Sequence, residues 1–177
     1  MPSTPNRFDR PLAVSHTVLR LLIKLNVVFG VLVSALFIAS LIAGAFVMRA
    51  LGAIPSPDAA RVIFGMRGIM VVGILSAPVL HLVYTRLLAI VETVRIGDPF
   101  VIVNAERLRT IAWSIVGLEL MHICVIALAN SVTVGTGKVD IGGKFSLTPW
   151  LTILLLFVLV RVFDQGARMR DELEATV

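Results

Sequence analysis

The sequence predicts an all-α integral membrane bundle of four helices, with both termini and the connection between helices 2 and 3 on the cytoplasmic side. Three observations predict it. The chain of 177 residues is 58% hydrophobic and only 15% charged, against about 45–50% and about 25% in a soluble domain, and its mean hydropathy is +0.96. Its apolar residues fall in four long runs rather than being spread through the chain. Its 16 Lys and Arg gather at the ends of those runs, as the bilayer surface requires of charges that cannot enter hydrocarbon.

A helix needs about 20 mostly apolar residues to cross the roughly 30 Å of hydrocarbon. Four stretches meet this: about 25–47, 68–90, 111–130 and 147–162. The last is short, and its helix is expected to run on beyond the membrane. Ala43-Gly44-Ala45 has the small residues of a signal cleavage site. The apolar run before it exceeds the 7–15 residues of a signal core, so it reads as a retained span.

Orientation follows from counting basic residues. Arg7, Arg10, Arg20 and Lys24 precede span one; Arg86, Arg95, Arg107 and Arg109 flank the connection between spans two and three; Arg161, Arg168 and Arg170 follow span four. Arg49, Arg61, Arg67, Lys138 and Lys144 fall on the other side. The richer side is expected to be cytoplasmic. Because topology accounts for the net charge of +5, direct nucleic-acid binding is not expected. The single cysteine, Cys124, sits inside an apolar run and permits no intrachain disulfide.

The polar segments differ in character. Residues 1–18 are proline-rich and read as a flexible cytoplasmic tail, leaving 19–177 as one four-span domain. Ala50 to Arg61 reads as a short loop in which Ser56-Pro57-Asp58 starts the next helix. Ser131 to Ser146 alternates valine and threonine around Gly135 and Gly137, fitting either a small hairpin or a plain glycine-rich loop. Gly97-Asp98-Pro99 signals a turn. The apolar run Phe100 to Val103 should rest on lipid headgroups or helix ends, with Asn104 placed to N-cap the third helix and Arg107 and Arg109 at the anionic lipid surface. In the tail, Asp164 with Arg168, Arg168 with Glu172, and Arg170 with Glu174 are spaced i,i+4, as expected of a helix end exposed to water.

Two of these segments, GDPFVIVNAERLRTIAW (Gly97 to Trp113) and the tail VRVFDQGARMRDELEATV (Val160 to Val177), resemble a bacterial membrane family, the one called domain of unknown function 2975. Its members share a Gly-x-Pro-Phe turn, an asparagine four residues after the phenylalanine, an Arg-Leu-Arg run and a fourth helix with an acidic-rich end. Here Thr110-Ile111-Ala112 follows the Arg-Leu-Arg run, where the family has an aliphatic residue or glycine. The resemblance implies a compact four-span protein with no catalytic residues to transfer. It also implies a regulatory pairing with a small helix-turn-helix protein, because members are often encoded beside one.

Ionisable groups within spans are functional candidates by default. His81 and Arg86 lie in span two, Glu119 and His122 in span three, with the two histidines at similar expected depth. Three arrangements fit. Glu119 could pair with Arg86 or a histidine across the helix interface as a satisfied polar cluster. His81 and His122 could ligate a b-type haem, or hold a metal together with Glu119. The group could also sense a proton or ligand. No GxSxG, HExxH or phosphate-binding glycine loop is present, so an enzyme is not expected. Gly30, Gly44, Ser34, Ala35 and Ser40 are expected to let helices pack closely.

The resemblance thus points to a non-enzymatic regulator of the bacterial inner membrane, open to homo-oligomerisation, that acts through a cytoplasmic partner such as a small helix-turn-helix regulator or through another membrane-associated protein. Its expected contact residues are Pro99, Phe100, Asn104, Arg107 and Arg109 in the middle connection, with Arg168, Arg170, Glu172 and Glu174 in the tail. A cofactor- or ligand-binding protein using His81, Glu119 and His122 is the alternative.

Overall fold

The chain is an all-α four-helix bundle in a computed structural model that describes residues 9–44, 46, 59–136 and 146–174. Helix α1 spans Asp9–Ile42, α2 Ala59–Ile96, α3 Ile102–Thr136 and α4 Thr148–Glu174. Each carries a stretch long and apolar enough to cross a membrane, at Val14–Ile42, Ala60–Ile96, Ile102–Asn130 and Thr148–Glu172. At 1.5 Å per residue the 38 residues of α2 reach about 57 Å, well beyond the hydrocarbon thickness. Leu25, Val28, Leu32, Leu151, Leu154, Leu155 and many other large apolar side chains lie exposed. Water would not tolerate such a surface, and lipid does.

Several boundaries differ from the sequence reading. Helix α1 begins at Asp9, inside the stretch expected to be a tail, because Pro11 falls in its first turn, where a missing N–H costs nothing. Residues 131–136 continue α3 as helix, so the first half of the expected hairpin is not a strand; residues 137–145 lie outside the described residues. The Ser56-Pro57-Asp58 start signal also lies outside them, and α2 begins immediately after it. Helix α4 runs on past Val162 to Glu174, as expected of the tail.

The helices contribute to two compact units. One comprises Asn26–Val79 and Gly117–Ser146. Here α1 and α2 run antiparallel in close contact. The amide of Asn26, itself buried, donates to the carbonyl of Ala77 at 2.9 Å, next to Pro78 inside α2. One turn along α1, a Cβ on Gly30 would lie 3.2 Å from Cβ of Ala77, so glycine is what allows the backbones this near. Further along, the Arg67 guanidinium donates to the Ser40 carbonyl at 2.5 Å and to its hydroxyl at 3.3 Å. This caps the C-terminal end of α1, where carbonyls lack partners and the helix dipole favours a cation. Helix α3 joins through Met121, whose sulfur lies 3.3 Å from the Ser76 hydroxyl, and through Leu128 against Gly68.

Replacing Gly30 with leucine should force α1 from α2. The expected loss is about 1–3 kcal/mol, read as a lower midpoint in reversible SDS unfolding followed by circular dichroism. Gly117→Leu is the control, because nothing lies within 4 Å of a Cβ there.

The other unit comprises Met1–Leu25, Leu80–Val116 and Leu147–Val177. Its core is a stripe on α3 of Ala105, Leu108, Ile111 and Ala112, with Ile153, Val160 and Ala167 of α4 recurring every seven residues and Val83 of α2. Small buried alanines let helices approach without the polar glue that a soluble core can recruit.

Candidate functional site

The described part of the middle connection, Gly97 to Val101, is built by helix-end chemistry. Helix α2 ends at Ile96 and Gly97 takes φ +90°, a left-handed conformation open chiefly to glycine. The Gly97 N–H donates to Val94 O at 3.1 Å and the Asp98 N–H to Thr93 O at 3.0 Å. This pair of bonds is a Schellman motif, which closes the last carbonyls of a helix. Pro99, which cannot continue a helix, follows at once.

Asn104 does not cap α3. The helix begins two residues earlier, at Ile102, and Asn104 turns inward with none of its surface exposed. Its amide donates to Pro99 O and to the Thr93 hydroxyl, each at 2.8 Å. The Thr93 hydroxyl donates in turn to Ile90 O at 2.7 Å. The Asn104 side-chain oxygen accepts from Nη1 of Arg107 at 2.9 Å, and that same nitrogen donates to Ala89 O at 3.0 Å. Asn104 therefore ties the end of α2, the turn and the start of α3 into one satisfied network. It holds the connection and has no surface with which to touch a partner. Arg107 is likewise half-buried and engaged inward.

The turn is docked on α4. Phe100 packs its ring 5.3 Å from that of Phe163 and lies against Gly166, where a Cβ would come within 3.0 Å of it. Asp98 forms an ion pair with Arg170. The two segments singled out in the sequence thus meet. Arg170 reaches Asp98, a contact the helical spacing with Glu174 did not anticipate; the Glu174 side chain lies outside the described residues. Asp164 and Arg168 do pair along the helix at 3.3 Å. Phe100, Arg168, Arg170 and Glu172 are exposed, leaving a charged rim around an aromatic patch. At the start of α1, His16 comes within 3.9 Å of Glu92, a contact missed because those residues were read as tail.

The four intramembrane candidates divide between the two units, His81 and Arg86 in one and Glu119 and His122 in the other. Glu119 lies 3.7 Å from His122, one turn along the same helix. Among the described residues the side chains of His81 and Arg86 make no ion pair or hydrogen bond. His122 is 60% exposed. No group of three or more His, Cys, Asp or Glu side chains is placed to hold a metal ion among the described residues.

Fold and site together define a multi-pass membrane protein whose most structured polar element is a helix-end connection clasped to α4. The chain matches no protein-family model, no curated protein and no solved structure. The family resemblance therefore rests on the two segments alone.

Proposed function

We propose that the chain is a non-enzymatic regulator of the bacterial inner membrane. It presents the joined connection and tail to the cytoplasm, where a small helix-turn-helix protein of the kind the family resemblance implies docks on them. The observation that carries this reading is the union of the two segments through Asp98 with Arg170 and Phe100 with Phe163 and Gly166. Segments 72 residues apart in sequence supply one aromatic patch with charges of both signs, the composition of an interface with a polar rim. The surface differs from the sequence reading in losing Asn104 and Arg107, which are turned inward, and gaining Asp98. The excess of arginine at this end supports a cytoplasmic orientation.

Co-expression with a helix-turn-helix protein encoded beside the chain, followed by affinity capture in detergent, tests the proposal. Charge reversal by Arg170→Glu should weaken capture roughly tenfold, the scale of losing a well-placed interfacial charge. An exposed pair contributes about 0–1 kcal/mol to folding, so stability should barely change. Unchanged capture by Arg170→Glu and by a chain lacking residues 164–177 would remove the surface named here.

A further inference from the structure

We propose that Arg109 and Arg161 form a binding site for the phosphate of an anionic phospholipid in the groove between α3 and α4, beneath the aromatic pair of Trp113 and Phe157. The Trp113 and Phe157 rings meet edge to face, with centroids 5.5 Å apart. Arg109 lies four residues before Trp113 on α3, and Arg161 four residues after Phe157 on α4. Because the two helices are antiparallel, both steps run about 6 Å toward the same end of the bundle. A spacing of four also keeps each arginine on the helix face of its aromatic neighbour. Two guanidinium groups thus stand at one level on facing helices, one turn from a shared aromatic contact.

Neither arginine has a counter-charge. Both are exposed, and among the described residues neither makes an ion pair or hydrogen bond. The nearby carboxylates do not serve them: Asp164 is held by Arg168, and Glu106, three residues from Arg109, forms no ion pair among the described residues. Like charges brought to one level repel unless an anion lies between them. A guanidinium suits phosphate because its planar fork donates two parallel hydrogen bonds.

The level itself identifies the source of the phosphate. Arg86 of α2 lies three residues before Ala89, and Ala89 is bonded by Arg107, two residues from Arg109. Arg20 of α1 lies four residues after His16, and Arg86 six residues before Glu92, the partner of His16. Each of the four helices therefore carries one exposed arginine at this height, to within about one turn. All four lack ion pairs among the described residues. Above them in the same unit lie the exposed Leu21, Leu25 and Leu82, with Trp113 63% exposed and Lys24 one turn above Arg20 as a further exposed cation; below them lie Glu92, Asp98 and the charged end of α4. This is the height of lipid headgroups, where long basic side chains reach phosphate while their stems stay in hydrocarbon and tryptophan is favoured. The site would take the headgroup between Arg109 and Arg161 and lay an acyl chain along Trp113. It holds or fails independently of any cytoplasmic partner.

Trp113 reports on the site directly. The Trp150→Phe protein retains Trp113 as its one indole and can be reconstituted in phosphatidylcholine vesicles containing brominated phosphatidylglycerol or brominated phosphatidylcholine. Bromine on a lipid in contact with the indole quenches it. The anionic lipid should be preferred by roughly fivefold per arginine, and Arg109→Gln with Arg161→Gln should bring the preference close to unity. Salt titration of the Trp150→Phe protein reads the same site with every arginine in place, and added salt should lower the preference. Equal quenching by the two lipids, a preference that survives the double glutamine change, or a preference indifferent to salt would each overturn the proposal.

Discussion

Replacing Asn104 with alanine is expected to destabilise the protein by roughly 3 kcal/mol. Pro99 O would lose its donor, the Thr93 hydroxyl one of its two partners, and Arg107 Nη1 one of its two acceptors. Each lost bond to a buried group costs about 1 kcal/mol, and an orphaned buried group about 1–3. Had Asn104 been an N-cap, the loss would be about 1 kcal/mol, so the magnitude separates the two roles. Reversible SDS unfolding of Asn104→Ala beside Thr93→Val measures the difference. Thr93→Val removes two bonds against three and should cost roughly 2 kcal/mol. Losses of about 1 kcal/mol or less for both would mean that the network does not form.

Gly97→Val is expected to cost about 2 kcal/mol and to loosen the connection. Nothing lies within 4 Å of a Cβ at this position, so the penalty comes from the backbone alone. A side chain at φ +90° crowds its own carbonyl, at about 1–2 kcal/mol for an L-residue, and β-branching adds to this. Asparagine tolerates the conformation better, so destabilisation should rise in the order Gly97→Asn, Gly97→Ala, Gly97→Val. If the three substitutions proved equally harmless, the Schellman motif would not be what ends α2. The same series should lower disulfide trapping between cysteines placed at Asp98 and Arg170, because the turn sets their approach.

The four spans were legible because hydrocarbon thickness imposes a length on any crossing helix. The Gly97-Asp98-Pro99 turn was legible because it depends on what glycine and proline do locally. The Asp164–Arg168 pair was likewise readable from helical spacing. What escaped was azimuth, the direction in which each residue faces around its helix. In a soluble helix, the change from polar to apolar faces marks the inward side. In a membrane helix both lipid and protein interior accept apolar residues, so that contrast fades. Asn104 therefore looked like a cap, Asn26 passed as an unremarkable member of an apolar run, and Ser40 was legible as a small packing residue but not as the partner of Arg67. Arg67 was counted only as a topological charge although it closes α1. For His122 the facing direction was not readable, and its side chain proves to be 60% exposed. The helical start at Asp9 was obscured by prolines, which break helices in the middle but are accepted in the first turn.

The proposed function requires the connection and the tail, joined to each other, to lie on the cytoplasmic side of the membrane. Single cysteines at Asp98 and Asp171, each in a Cys124→Ser background, can be probed with a membrane-impermeant maleimide. Both positions should stay unlabelled in intact cells and react once the membrane is opened. Labelling of either cysteine in intact cells would contradict the account, and labelling of one without the other would separate the two segments as well.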